Sequence, residues 1–159
     1  MKNKSVIIGI GHPFRGDDAL GPQAISLLKP HLPPTVDSMT LLGDLSALLS
    51  IFENYEAVYL IDAIVTKQSL PGTYHRLEGI LPDTASTCRT STHAFDISQA
   101  IEMAHVLNCL PKKLVIFGME AEQFTEGGPL SNALSSQLPQ FINTILNELS
   151  QPKEETHHA

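Results

Sequence analysis

The chain is poor in cysteine, and its two cysteines do not form a recognisable pair. Cys88 and Cys109 follow no C-x-x-C spacing, so the sequence predicts neither a structural zinc site nor a disulfide scaffold. No charged and apolar leader of the secretory type precedes the first apolar segment, which begins at Ser5. Together these features predict a protein of the reducing cytoplasm.

Basic residues are also scarce, because 10 lysines and arginines stand against 17 aspartates and glutamates, for a formal net charge of −7. A nucleic-acid-binding surface needs clustered Lys and Arg to contact phosphates, so we expect no nucleic-acid partner.

Long apolar runs are missing as well. None approaches the ~20 residues that a membrane-spanning helix requires, so we expect no membrane partner.

The length of the chain favours one domain. At 159 residues, the chain is long enough to bury a core that is stable without a disulfide or a structural metal. We predict a single domain over residues 1–150. Residues 151–159 are mostly polar and are expected to form a frayed tail, in which His157 and His158 are solvated.

Segments typical of buried strands alternate with segments whose apolar residues recur at helical spacing. The predicted strands are Ser5–Ile10, Thr35–Leu42, Ala57–Ile61 and Lys113–Phe117, with a short edge strand, able to run antiparallel, within Pro71–Leu77. Apolar stripes predict helices over 20–28, 45–52, 97–104 and 134–149. This alternation predicts an α/β fold, a three-layer sandwich in which a mostly parallel sheet of about five strands is flanked by helices on both faces.

Three polar side chains are expected near the carboxyl edge of this sheet. Asp18 follows the first strand after a short loop, Asp62 comes directly after the third, and His93 ends a polar loop before the helix at Ile97. Because loops at that edge converge into a ligand crevice, we expect these residues to lie together. Two carboxylates and one imidazole can hold a divalent metal ion with positions open for water or substrate. They are our candidate catalytic residues and metal ligands.

Each of these acidic or basic residues also has a structural explanation. Asp17 and Asp18 would interact favourably with a helix dipole by about 0.3–1 kcal/mol, which explains one aspartate of the pair better than both. An aspartate after a strand can cap the next turn, and a histidine in a polar loop is most often a surface residue. Glu120 and Glu122 are expected to be solvated loop residues, with a substrate contact as the alternative.

Several known motifs are absent. Gly9 and Gly11 begin a G-x-G-x-x-G pattern, but Phe14 stands at its third glycine, where its ring should obstruct close packing of the helix. The sequence has no Walker loop, no G-x-S-x-G elbow and no H-E-x-x-H zinc motif. Neither cysteine has a convincing base in the pattern. Nucleotide binding and covalent catalysis by serine or cysteine are therefore disfavoured.

Three segments carry a family resemblance: GIGHPFRGDDALG at residues 9–21, LIDAI around Asp62 and STH ending at His93. The first is similar to the opening signature of the hydrogenase maturation proteases, the endopeptidases that trim the C-terminus of the large subunit of nickel–iron hydrogenases. The other two fall where that family has its remaining metal-contacting positions. The similarity runs from Val6 to about Leu149 and includes the Pro-Gly-Thr turn at residues 71–73.

The resemblance implies a cleft, surrounded by Asp18, Asp62 and His93, that recognises nickel already inserted into the precursor. Nickel then belongs to the substrate, and no organic cofactor is expected. The chain departs from the family at two places: His12 stands where Asn is usual, and Gly43-Asp44 replaces a Gly-Gly pair. The first departure either alters the opening loop or adds a fourth ligand, and the second alters part of the cleft wall.

We interpret the chain as a cytoplasmic endopeptidase that removes a C-terminal peptide from the nickel-loaded precursor of a hydrogenase large subunit, its partner. A carboxylate acting as general base and a cation that polarises the scissile carbonyl are both compatible with the residues.

Two alternatives stay open. One is a Mg²⁺-dependent phosphoacceptor signalling domain, which is disfavoured because Lys112 and Lys113 precede the last strand instead of following it, and because it gives His93 no role. The other is a nickel-binding accessory protein without hydrolytic activity. Only an activity assay separates this second alternative from the peptidase.

Overall fold

The computed structural model describes residues 4–42, 45–79, 89–90 and 97–150. The strands are β1 (Ser5–Ile10), β2 (Val36–Leu41), β3 (Ala57–Val65), β4 (Tyr74–Glu78), β5 (Arg89–Thr90) and β6 (Lys113–Glu120). The helices are α1 (Leu20–Leu28), α2 (Ala47–Asn54), α3 (Ile97–Val106) and α4 (Asn132–Ser150), with short 3-10 helices at Gly16–Ala19 and Lys29–His31. The predicted tail, residues 151–159, lies outside the described residues.

The strands form one sheet in the order β2-β1-β3-β6-β4, and β5 pairs with the end of β3. β1, β2, β3 and β6 are parallel, whereas β4 runs antiparallel to β6 at the edge. The predicted α/β fold with a mostly parallel sheet is therefore confirmed, as is the antiparallel edge strand. β5 was not predicted, because two residues are too short to produce a periodic pattern.

Both faces of the sheet are covered by helices. Ile7 of β1 belongs to the hydrophobic layer under α1 and α4, whereas its neighbours Val6 and Ile8 belong to the layer under α2 and α3. This alternation follows from the period of two in a strand. The helices contribute the stripes expected from their spacing, such as Leu20 and Ala24 of α1. No helix of the described residues is long and apolar enough to cross a membrane.

β3 is longer than predicted, and this changes the position of Asp62. The strand continues to Val65 because Ala63 and Ile64 pair with Met119 and Glu120 of β6. Asp62 therefore lies inside the strand instead of directly after it. The prediction ended the strand too early because aspartate is disfavoured in strands, a preference that the pairing with β6 overrides here.

The order of the strands reverses at β1, since the chain passes from β1 to β2 on one side and β3 lies on the other. In open α/β sheets, the crevice beyond the carboxyl ends of the strands at such a reversal is the usual ligand site. β1 pairs with β3 as far as Gly9 and Ile61. Asp62 is therefore the first residue of β3 beyond this pairing, at the position where such a site is expected.

α1 packs against β1 at very short range. A Cβ atom added to Gly21 would lie 2.4 Å from the backbone nitrogen of Ile10, and one added to Gly9 would lie 2.3 Å from the carbonyl oxygen of Gly21. Only hydrogen fits at both positions. Phe14, which we expected to obstruct the helix, is 70% exposed. That expectation was wrong, because the loop carries the ring to the surface and Gly21 makes the close contact.

Replacing Gly21 with Ala should lower the free energy of unfolding by about 1–3 kcal/mol, because the new methyl group overlaps the backbone of Ile10. Urea unfolding followed by circular dichroism measures the loss. Gly118→Ala is the matched control: its added Cβ would lie 2.9 Å from Cδ1 of Ile64, the flexible end of a side chain. Equal losses in the two variants would contradict the backbone contact between α1 and β1.

Candidate active site

The loop after β1 folds back so that Asp18 lies against its beginning. Gly11 has a φ of +140°, a conformation that side chains rarely adopt, and an added Cβ there would lie 1.9 Å from the carbonyl oxygen of Asp18. The backbone N–H of His12 donates a 3.0 Å hydrogen bond to Oδ2 of Asp18. Asp18 is 2% exposed. Its carboxylate is thereby held beside the carboxyl end of β1.

Asp62 lies on β3, the strand next to β1, near the same edge of the sheet. It is fully buried and lies opposite Gly118 in the pairing of β3 with β6. The 3-10 helix that carries Asp18 is in contact with β3. The structure therefore places two of the three candidate residues on adjoining elements, where the order of the strands reverses between β1 and β3.

The third candidate, His93, lies outside the described residues, as do Gly43, Asp44 and Cys88. Within residues 4–42, 45–79, 89–90 and 97–150, no three His, Cys, Asp or Glu side chains are grouped so as to hold a metal ion. A set that includes His93 extends beyond these ranges. The ligand set of Asp18, Asp62 and His93 therefore stays a prediction.

Asp17, next to Asp18, is directed to a different part of the molecule. Its carboxylate is fully buried and accepts hydrogen bonds from the backbone N–H groups of Glu122, Gln123 and Ser131 at 2.7, 3.1 and 2.7 Å. These donors belong to the segment between β6 and α4, not to the first turn of α1. The helix-dipole explanation therefore does not account for Asp17, whose donors come from elsewhere in the fold.

Comparison with known proteins decides the family. Residues 43–148 match the family model of the hydrogenase maturation proteases. The chain belongs to that family. A curated relative, the hydrogenase 2 maturation protease of Escherichia coli (strain K12), is 23% identical over 167 residues, which cover 96% of this chain and 98% of the relative. The resemblance seen in the sequence is therefore confirmed.

Solved structures of family members have the same fold. The hydrogenase maturating endopeptidase HybD from E. coli matches with a TM-score of 0.74 at 22% identity, covering 92% of this chain and 91% of that chain. The nickel–iron hydrogenase maturation protease HybD from Thermococcus kodakarensis matches with a TM-score of 0.72 at 18% identity, covering 93% and 99%. The α/β sandwich of this maturation protease is thus shared by its relatives.

His12, one of the departures from the family pattern, has a defined role in the loop. Its ring Nδ1 accepts a 3.2 Å hydrogen bond from the backbone N–H of Phe14, so a neutral ring carries its proton on Nε2. An Asn side-chain oxygen in this position can accept the same bond, as in an Asx turn. A loop role therefore accounts for His12 without a role as a ligand.

Glu120 was expected to be a solvated loop residue, and this was wrong. β6 extends to Glu120, which is 3% exposed. Its carboxylate accepts bonds from the N–H and hydroxyl of Thr66 at 2.9 and 2.7 Å, and Nε2 of His75 lies 3.5 Å away. Glu120 therefore fastens the loop after β3, whereas Glu122 is exposed as expected.

Cys109 lies at the opposite end of the sheet from Asp18 and Asp62. It lines a cavity of about 460 Å³ beside Tyr55, Asn108 and Lys112, next to the amino ends of β3 and β6. Burial raises the pKa of the Cys109 thiol, which disfavours the thiolate that a nucleophile requires. Both its position and its protonation argue against a catalytic role.

Replacing His12 with Ala should cost at most about 1 kcal/mol of folding free energy, because the N–H of Phe14 loses its acceptor at an exposed site. Replacing His12 with Asn should keep the bond and most of the stability. Urea unfolding of the two variants and the unaltered protein measures the difference. A loss that is larger for Asn than for Ala would show that the ring does more than close this turn.

Cys109→Ala should retain the activity of the unaltered protein, because the thiol is protonated at neutral pH and distant from the crevice. A thiol-directed alkylating reagent should likewise leave the rate unchanged. The rate of processing of a hydrogenase large-subunit precursor, followed by mass spectrometry, tests both expectations. A rate that falls with alkylation in the unaltered protein but not in the variant would implicate Cys109.

Proposed function

We propose that the chain is an endopeptidase that removes a C-terminal peptide from the nickel-loaded precursor of a nickel–iron hydrogenase large subunit. Membership of the maturation protease family supports a peptidase that acts on a hydrogenase. The observation that carries the site is the position of two buried carboxylates, Asp18 and Asp62, on adjoining elements at the β1/β3 reversal.

In this proposal the nickel arrives with the substrate. Asp18, Asp62 and His93 contact it and complete the coordination that the precursor supplies through its own ligands. Carboxylate oxygen and imidazole nitrogen suit a divalent ion of this kind. Two negative charges in one buried crevice raise each other's energy, and a divalent cation between them offsets that cost. The charge of the site therefore favours a precursor that carries metal over one that does not.

The bridge between enzyme and nickel also positions the scissile bond. Binding through the metal converts the attack of water into a reaction within one complex, which is worth several orders of magnitude in rate. We propose that Asp18 or Asp62 acts as general base. It takes a proton from water as the water oxygen bonds to the scissile carbonyl carbon, and the proton passes to the amine nitrogen as the C–N bond breaks.

Polarisation of the scissile carbonyl by the substrate's nickel is the second way in which these residues can serve hydrolysis.

The phosphoacceptor alternative finds no support, because residues 121–131, which follow β6, contain no lysine to hold a phosphoryl group. We propose the precursor as the partner and the cytoplasm as the location. The acidic net charge of −7 is the reason that we expect no nucleic-acid partner.

Asp18→Asn and Asp62→Asn should each lower the rate of precursor processing by about 100-fold or more while the protein stays folded, because an amide can neither act as general base nor supply a negative charge to the metal. Purified protein is incubated with nickel-loaded precursor, and the products are weighed by mass spectrometry. Asp37→Asn is the matched control, since Asp37 is a partly exposed carboxylate near the amino end of β2.

The unaltered protein should leave nickel-free precursor and casein intact. Cleavage of nickel-free precursor at the same rate would contradict recognition through the metal. Full activity of the double variant with Asn at both positions would exclude these carboxylates as the site. Binding of the nickel-loaded precursor without any cleavage by the unaltered protein would favour the accessory-protein alternative.

A further inference from the structure

The proposed function does not use Asp17, a heavily hydrogen-bonded carboxylate next to Asp18. Asp17 is fully buried, and its Oδ1 accepts the N–H of Ser131 at 2.7 Å. Its Oδ2 accepts the N–H groups of Glu122 and Gln123 at 2.7 and 3.1 Å and the hydroxyl of Ser131 at 2.9 Å. Four donors therefore converge on one side chain from a segment more than a hundred residues away.

Backbone hydrogen bonds extend this connection along the loop. The N–H of Asp17 donates to the carbonyl of Gln123 at 2.9 Å, and the N–H of Gly16 donates to the carbonyl of Gly128 at 3.0 Å. In the other direction, the N–H of Gly127 donates to the carbonyl of Phe14 at 2.7 Å. We use the name clasp for the Asp17 carboxylate together with these side-chain and backbone hydrogen bonds to residues 122–131.

The clasp lies one residue from the proposed catalytic carboxylate. Asp17 and Asp18 share the 3-10 helix Gly16–Ala19, and the N–H of Asp18 donates to the carbonyl of Arg15 at 3.1 Å. The carboxylate of Asp18 in turn accepts the N–H of His12. A shift of the 3-10 helix therefore moves Asp18 relative to His12 and to the end of β1.

We infer that Asp17 is a positioning residue, whose clasp to residues 122–131 fixes Asp18 in the geometry that hydrolysis needs. The inference rests on the proposed function. Hydrogen bonds to an ionised carboxylate are short and strong, so four of them hold the turn rigidly. A misplacement of about 1 Å in a reacting group can cost about 100-fold in rate, so this rigidity is worth more to catalysis than to folding.

Asparagine at position 17 tests the inference because it preserves the shape of the side chain. Its amide has one acceptor oxygen and two N–H donors, so at least one of the four converging donors would face another donor. We expect Asp17→Asn to lower kcat by about 10- to 100-fold on nickel-loaded precursor, with KM changed less than about threefold. A residue that only stabilised the fold would leave kcat of the folded fraction unchanged.

Hydrogen exchange supplies a readout that does not depend on activity. The amide of His12 is held by Asp18, whereas the amide of Ile8 lies within β1. In Asp17→Asn, the His12 amide should exchange about tenfold faster relative to Ile8 than it does in the unaltered protein. The reason is that a displaced Asp18 no longer accepts the His12 N–H, and about one hydrogen bond's contribution to protection is lost. Unchanged relative exchange would overturn the inference.

A milder variant keeps the test decisive if Asp17→Asn does not fold. Ser131→Ala removes the hydroxyl donor to Asp17 and also the 3.4 Å bond to the N–H of Leu134 at the start of α4. Ala133→Gly is its matched control, since it weakens the same helix turn and leaves the clasp intact. Ser131→Ala should lower kcat and speed His12 exchange, and Ala133→Gly should do neither.

Equal effects of Ser131→Ala and Ala133→Gly on kcat and on His12 exchange would overturn the positioning role. Failure of the proposed function gives a different result, because the unaltered protein would then not process the precursor at all. In that case the His12 exchange comparison still decides whether Asp17 holds the segment that carries Asp18.

Discussion

Close packing between α1 and β1 determines how the chain turns after its first strand. The chain leaves the sheet at Gly11, folds back and starts α1 against the strand that it has just left, at a distance that admits only hydrogen at Gly9 and Gly21. α1 therefore covers one face of the sheet together with α4, while α2 and α3 cover the other. The carboxyl ends of β1 and β3, where open α/β sheets usually bind ligands, lie beside the 3-10 helix with Asp18, which contacts β3.

The buried acidic residues Asp17, Asp18, Asp62 and Glu120 have two kinds of role. Asp17 joins the segment after β6 to the 3-10 helix that follows β1, and Glu120 of β6 joins the loop after β3 to the sheet. Asp18 lies at the carboxyl end of β1, and Asp62 lies on the neighbouring strand. Asp17 and Glu120 thus have structural partners within the fold, and Asp18 and Asp62 are the pair that we propose to contact the substrate's metal.

The sequence predicted those parts of the fold that depend on local periodicity. β1, α1 and the antiparallel β4 each follow from a run of neighbouring residues. The continuation of β3 past Asp62 depends on pairing with β6, which no local pattern contains. The same holds for the clasp, since Asp17 bonds to Ser131, 114 positions further along the chain. Ser131 could have been identified as a helix cap ahead of the Leu134 stripe, but its partner could not.

Soaking crystals of the protein with Ni²⁺ tests whether Asp18, Asp62 and His93 form one metal-binding site, because anomalous scattering locates the ion without reference to activity. We expect one strong site at the carboxyl ends of β1 and β3, with carboxylate oxygens of Asp18 and Asp62 and a ring nitrogen of His93 at about 2.0–2.2 Å from the metal. A strong site elsewhere, with the carboxylates of Asp18 and Asp62 more than ~8 Å apart and thus beyond the reach of one ion, would contradict it.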